Sequence, residues 1–134
     1  MEVPQRNEAA VGLLYQNGKV LLLKRSETAP TWPNYWCPPG GLKEPNETII
    51  DCLKWEIKEE AGLIVTAIFI LRKTIHEGGF RTWFFQVEVK STEEITLSRE
   101  HSEFMWMPIK DYDKHEITPV SKELIKQKHE KTKM

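Results

Sequence analysis

The sequence predicts an α/β domain in which helices cover a mixed sheet. Three observations carry that expectation. Two apolar runs meet at Asn17-Gly18, apolar residues recur at spacings of three and four across 49–61, and apolar and polar residues alternate across 81–90. The first and third are strand signals and the second is a helix signal.

In chain order, residues 8–16 and 19–25 flank Asn17-Gly18, the dipeptide best suited to a tight hairpin because both turn positions need positive φ. Residues 26–39 hold four prolines and no period, so a loop is expected there. The diglycine Gly40-Gly41 reads as part of that connection. Thr48 is a good N-cap with Asp51 as its capping-box partner, and Gly62 suits the position that stops a helix. The helix is therefore expected over 49–61, with Ile50, Leu53, Ile57 and Ala61 as its core stripe. Residues 63–73 are rich in β-branched residues and read as a strand, followed by a turn at 76–79. Trp83, Phe85, Val87 and Val89 share one face of the strand at 81–90. A polar loop is expected over 91–102, then a short strand from Phe104 to Met107 ended by Pro108. Thr118-Pro119 opens a last helix carrying Val120, Leu124 and Ile125. Its lysine-rich end from Lys126 onward is expected to fray as a solvated face.

The whole chain narrows the function classes. Its 134 residues are expected to form a single domain, 1–134, able to bury roughly two-thirds of the surface of the unfolded chain. A formal net charge of −1 provides no global basic field, so no nucleic-acid partner is expected and any nucleotide binding must be local. The N-terminus MEVPQRNEAA lacks the apolar stretch of a signal peptide, and no apolar run approaches the ~18 residues of a membrane span. Cys37 and Cys52 form neither a CxxC pair nor a zinc spacing. A disulfide between them stays open, but a reducing cytoplasm is the expected location.

The chemistry concentrates on the helix. Glu56 and Glu60 share a face and Glu59 stands one step around, with Lys58 pointing away. A solvated acidic face is the ordinary meaning of such a cluster. Here, however, the glutamates crowd the helix C-terminus, where the macrodipole disfavours anions, and no local charge neutralises them. Breaking a local rule twice is typical of functional sites. A hard divalent cation that prefers oxygen ligands and substrate phosphates would use such a cluster. Gly40 and Gly41 would let backbone carbonyls and amides approach that ion and its phosphates. No GK[ST] follows them, so this is not a P-loop.

Gly41, Glu47 and Trp55-Glu56-Ile57-Lys58-Glu59-Glu60-Ala61-Gly62-Leu63, at their spacings, resemble the Nudix box, G-x5-E-x7-R-E-U-x-E-E-x-G-U with U aliphatic. Every defined position matches except Trp55. The preceding hairpin, the Trp36-Cys37-Pro38-Pro39-Gly40-Gly41 lead-in and the later Glu100-His101-Ser102-Glu103-Phe104-Met105-Trp106 also fit a small, MutT-like Nudix domain. The resemblance implies an α/β/α sandwich and Mg²⁺-dependent (Mn²⁺ also suitable) hydrolysis of a nucleoside diphosphate linked to another group. Glu56, Glu59, Glu60 and the Gly40 carbonyl then match the metal ligands, and Glu47 the residue that shapes the loop before the helix. Glu56 is the first choice of base and Glu103 the second, with a plain surface role weighed against Glu103. Arg25 resembles a phosphate contact, with Lys24 and Arg81 as weaker candidates. Trp32, Tyr35, Phe80 and Trp83 are candidates to stack on a base, each worth ~1–3 kcal/mol if it does. A lone histidine such as His101 is more often a surface residue than a substrate contact.

The family places an arginine where this chain has Trp55, and tryptophan has no charge and one N–H donor. Three outcomes stay open: another cation orients the carboxylates, the enzyme is weak, or the domain only binds. The short chain leans toward a (deoxy)nucleoside triphosphate giving monophosphate and pyrophosphate. Nucleotide sugars or ADP-ribose are the enzymatic alternative, and a nucleotide-binding module is the non-enzymatic one. Monomer and homodimer are both compatible with the sequence.

Overall fold

The computed structural model describes residues 7–76, 79–90, 95–96 and 101–132. Seven strands and two helices follow one another as β1 (Glu8–Gln16), β2 (Lys19–Arg25), β3 (Trp36–Cys37), β4 (Gly40–Leu42), α1 (Ile49–Ala61), β5 (Val65–Ile75), β6 (Arg81–Val89), β7 (His101–Pro108) and α2 (Pro119–Thr132). A 3-10 turn at Ile109–Asp111 precedes α2.

The sheet path is β3-β2-β1-β6-β5, with β4 on β1 and β7 on β2. β1 and β6 run parallel from Glu8↔Arg81 to Leu14↔Val87, while the other pairings are antiparallel, so the sheet is mixed. β1 divides its other edge. Tyr15 and Gln16 close the hairpin onto β2, whereas Ala9, Ala10 and Val11 pair with Leu42, Gly41 and Gly40. The hairpin turn has Asn17 at φ 51° and Gly18 at φ 73°, the positive values that the dipeptide favours.

Each face of the sheet carries its own core. On one, Leu53, Ile57 and Ala61 of α1 pack with Phe85, Val87, Leu21 and Leu23, and Trp83 and Val89 border the cluster. On the other, Leu124 and Ile125 of α2 pack with Phe84, Leu13, Leu22 and Met107. The result is the α/β/α sandwich expected from the sequence. α1 lies close on β1 because Gly12 has no side chain: a Cβ there would stand 3.0 Å from Ile57 Cδ1 and 3.2 Å from Leu53 Cδ1.

α1 has the expected bounds. Thr48 Oγ1 accepts the Asp51 N–H, and Gly62 stops the helix at φ 72°. Elsewhere the structure corrects the sequence reading. Gly40-Gly41 is strand rather than loop, because Lys43 N–H and Gly12 N–H are bonded to Glu8 and Pro39 carbonyls at either end of the β1–β4 contact. β5 starts and ends two residues later than expected, at Val65 and Ile75. β7 begins at His101, because Arg25 on β2 offers a partner that far back. Of the expected loop 91–102, residues 91–94 and 97–100 lie outside the described residues, as do Glu77 and Gly78 of the expected turn. α2 continues to Thr132 instead of fraying from Lys126. Lys128 docks it, with Nζ 3.4 Å from Gln86 Oε1 and 5.0 Å from the Tyr15 ring centroid.

Ile57 is fully buried at the α1–sheet contact. Ile57→Ala should lower stability by about 2–5 kcal/mol, read as a shift of the urea midpoint with an unchanged slope.

Candidate active site

The β1–β4 pairing holds Gly40-Gly41 extended beneath the last two turns of α1. Glu60 is 4% exposed, and its Oε2 accepts the Gly40 N–H at 3.2 Å. Glu56, half-buried one turn earlier, lies over the next residue. A Cβ added to Gly41 would stand 2.6 Å from Glu56 Oε2 and 2.7 Å from Oε1. At Gly40 it would enter the Ala10 carbonyl, a backbone atom that cannot yield. Gly40 is thus required by close approach of backbone, whereas a side chain at Gly41 would push the Glu56 carboxylate aside. Cys52 closes the inner side, its thiol donating to the Gly41 carbonyl at 3.7 Å.

Glu59 is exposed on α1 and stands outside this contact. Glu47 caps the turn before the helix: its Oε1 accepts the Glu44 N–H at 2.8 Å, and Lys43 Nζ bonds the Glu44 and Glu47 carbonyls at 3.0 and 3.1 Å. Trp55 is 54% exposed on the outer face of α1.

A cavity of about 750 Å³ opens beside the glycines, a size suited to a nucleotide. Its walls include Gly40, Gly41, Glu60, Arg25, Trp32 and His101. Arg25 is fixed against the loop, with Nε donating to the Thr31 carbonyl at 2.9 Å and Nη2 to Thr31 Oγ1 at 3.2 Å. Trp32 sits at φ 50°, an outlier for a bulky residue, with its ring centroid 5.0 Å from that of Tyr35.

The structure brings Gly40, Gly41, Glu60, Arg25 and Trp32 together on the cavity wall, and sets Glu56 against Gly41 outside that lining. Other candidates stand apart from the cavity lining, among them Arg81, Glu103 and Trp83. Arg81 is exposed at the start of β6, beside Glu8 and Ile75. Glu103 is exposed on β7, with Oε1 3.5 Å from Lys24 Nζ. Trp83 borders the core, its indole N–H donating to Glu8 Oε2 at 2.7 Å. Glu100 lies outside the described residues.

His101 is the residue that sequence reasoning undervalued. Its side chain is buried, and Nε2 lies 3.9 Å from Glu60 Oε2. Nothing in its sequence surroundings announces this, since the contact joins the first residue of β7 to the end of α1. His76, Thr82, Phe84 and Ser121 also line the cavity and were not singled out.

Whether these residues suit a divalent cation can be judged from their donors. Glu56 and Glu60 bring carboxylates to a bare backbone strand, and oxygen donors of this kind suit Mg²⁺ or Mn²⁺. Among the described residues, no three His, Cys, Asp or Glu side chains converge as a complete ligand shell. Mg²⁺ does not require one, because it keeps waters and shares substrate phosphates.

Comparison with known proteins places this geometry. A family model described as the NUDIX domain matches residues 5–128. The nucleoside triphosphatase NudI of Escherichia fergusonii is 26% identical over 126 residues, covering 84% of this chain and 89% of that protein. The crystal structure of a MutT NUDIX hydrolase from Burkholderia pseudomallei superposes with a TM-score of 0.75 at 21% identity, over 92% of this chain and 98% of that one. A C. elegans Ap4A hydrolase superposes with a TM-score of 0.72 at 23% identity, over 89% and 93% of the two chains. At these identities the two structures speak for the fold.

Two outcomes are expected here. Gly41→Ala should displace the Glu56 carboxylate and reduce turnover far more than it reduces the melting temperature, measured side by side. The cysteines are free and buried. Burial pushes the Cys37 thiol from 9.0 up to about 11, outweighing the nearby Arg25. Burial, then the Glu47 and Glu56 carboxylates, pushes Cys52 up to about 12. The folded chain therefore holds both protons at a pH where the unfolded chain releases them. That contribution to stability is complete below pH 9 and is lost as pH rises through about 11 and 12. Iodoacetamide at pH 8 should leave both thiols unmodified until denaturant is added, and the denaturation midpoint should fall above pH 9.

Proposed function

This chain belongs to the Nudix hydrolase family, enzymes that act on pyrophosphate bonds, and we propose that it hydrolyses a (deoxy)nucleoside triphosphate to monophosphate and pyrophosphate. The observation that carries this reading is the meeting of Glu56 and Glu60 with the Gly40-Gly41 strand, whose two glycines line a nucleotide-sized cavity together with Glu60. The similarity to a nucleoside triphosphatase along most of both chains supports that choice among pyrophosphate substrates. We take residues 1–134 as a single domain working in the cytoplasm, a setting that suits two free buried thiols.

Glu56, Glu60 and the Gly40 carbonyl would hold Mg²⁺ or Mn²⁺, and Glu59, exposed outside the diglycine contact, would complete the set from the helix surface. When bound, the cation supplies charge neutralisation for the phosphates and a more acidic water. The chain's own residues do the rest. Arg25 stands on the cavity wall with its guanidinium held by Thr31, set to meet phosphate oxygens. Trp32 offers an indole face to the base, held in place at a backbone cost of ~1–3 kcal/mol. Water attacks one phosphorus of the pyrophosphate as the bridging P–O bond breaks, and Glu56 accepts the water's proton. Burial of Glu60 against Gly40 N–H keeps the diglycine strand and the helix in register. Glu103, exposed and near Lys24, is the second choice of base.

The test is a phosphate-release screen over nucleoside triphosphates, nucleotide sugars, ADP-ribose and dinucleoside polyphosphates with excess Mg²⁺. Glu60→Gln serves as the control. Turnover on a triphosphate that drops by about 10²-fold or more in the variant is the expected result. Turnover only on a nucleotide sugar or ADP-ribose would replace the substrate class. Nucleotide binding with no turnover on any of them would make this a binding module and would give Trp55 its meaning.

A further inference from the structure

We propose that β5 is the contact strand of a homodimer, pairing edge to edge and antiparallel with β5 of a second copy of this chain. β5 is the last strand of the sheet path, with β6 on one side and no strand on the other among the described residues. At 11 residues it is a long edge, and long apolar edges are pairing sites unless charges, prolines or bulges blunt them; β5 is irregular against β6 at two places, between Val65 and Ala67 and between Ile70 and Arg72.

Here the blunting charges are turned inward. Of nine exposed large apolar side chains among the described residues, five lie in and beside this strand: Ile64, Phe69, Ile70, Leu71 and Ile75. Ile70 is 67% exposed and Ile75 63%. The strand has two cations, and neither guards the edge. Arg72 turns back to Glu123 of its own α2, with Nη1 3.1 Å from Oε2. Lys73 lies over the Trp83 ring on β6, 5.2 Å from its centroid. Their charge is engaged on the chain's own body, and apolar tips are left at the rim.

The strand is also complementary to itself. Ile70 is the midpoint of Val65–Ile75. Full antiparallel overlap therefore sets Ile70 opposite its copy, Phe69 opposite Leu71, and Ile75 opposite Val65. Arg72 and Lys73 then face Ile68 and Ala67, so no cation meets a cation, an arrangement that would otherwise weaken the pair. Of the two register shifts of β5 against β6, the one between Ile70 and Arg72 falls beside the midpoint, and both copies carry it alike. The five apolar side chains expose on the order of 500 Å² in each copy. Wholly covered, these surfaces would bury on the order of 1,000 Å² in total, the upper end of what this edge offers and about the lower bound for a specific interface. A two-fold pair consumes the edge of both copies, so assembly closes at two.

Sedimentation velocity of the full chain from 1 to 100 µM tests this, together with two cysteine variants. The expected result is a concentration-dependent dimer that Ile70→Lys converts to monomer. Under oxidation, Ile70→Cys should crosslink to its own copy, while Ile75→Cys should not, because its two copies lie roughly 33 Å apart across the pair. If Ile70→Lys loses its fold by circular dichroism, the crosslinking pattern decides. A wild-type monomer throughout, a dimer that survives in folded Ile70→Lys, open-ended oligomers, or crosslinking at Ile75 and not at Ile70 would each overturn the proposal.

Discussion

The site depends on two carboxylates being pressed against a backbone that has no side chains. Glu56 and Glu60 can reach β4 because Gly40 and Gly41 leave the space empty. The Gly40 N–H bond to Glu60 fixes one end of that contact. Packing of Leu53 and Ile57 on β1, made close by Gly12, fixes how near the helix lies to it. Burying an anion is expensive without a partner. Glu60 is nonetheless almost fully enclosed, with a backbone N–H and the His101 ring near its Oε2. An arrangement that sets carboxylates near a helix C-terminus, against the macrodipole, is understandable if the site exists to receive positive charge.

The sheet supplies this geometry by dividing β1. Its C-terminal end forms the hairpin, while its N-terminal half supports β4 on one edge and runs parallel to β6 on the other. The same strand therefore carries the diglycine strand and the centre of the core. Cavity walls come from distant parts of the chain: Arg25 at the end of β2, Trp32 on the following loop, and His101 at the start of β7. Trp55 stands where the sequence resemblance leads one to expect an arginine. It is solvent-facing rather than buried, so its indole does not fill the core under α1.

Much of this was legible from local patterns. The hairpin and α1 could be bounded because Asn17-Gly18, Thr48 and Gly62 each demand a specific backbone conformation. The alternation of Trp83, Phe85, Val87 and Val89 gave the face of β6 correctly. What the sequence hid was long-range. Gly40-Gly41 has poor strand propensity and becomes a strand only because β1 offers an edge. The early start of β7 needs Arg25 as a partner, and the last turns of α2 hold because Lys128 meets Gln86 and Tyr15. His101 looked like a surface residue because its neighbour Glu60 is 41 positions away in the chain. The identity of the box glutamates was readable from spacing, whereas the separation of Glu59 and Glu103 from the diglycine contact required the fold.

The central claim is that the Glu56–Glu60–diglycine contact is a divalent-cation site. Its most direct test is Mn²⁺ binding by electron paramagnetic resonance, without nucleotide, in wild type and in Glu56→Gln. The account predicts a saturable site in the wild type that is lost or markedly weakened in a variant with an unchanged melting temperature. Equal Mn²⁺ binding by the two proteins would contradict it.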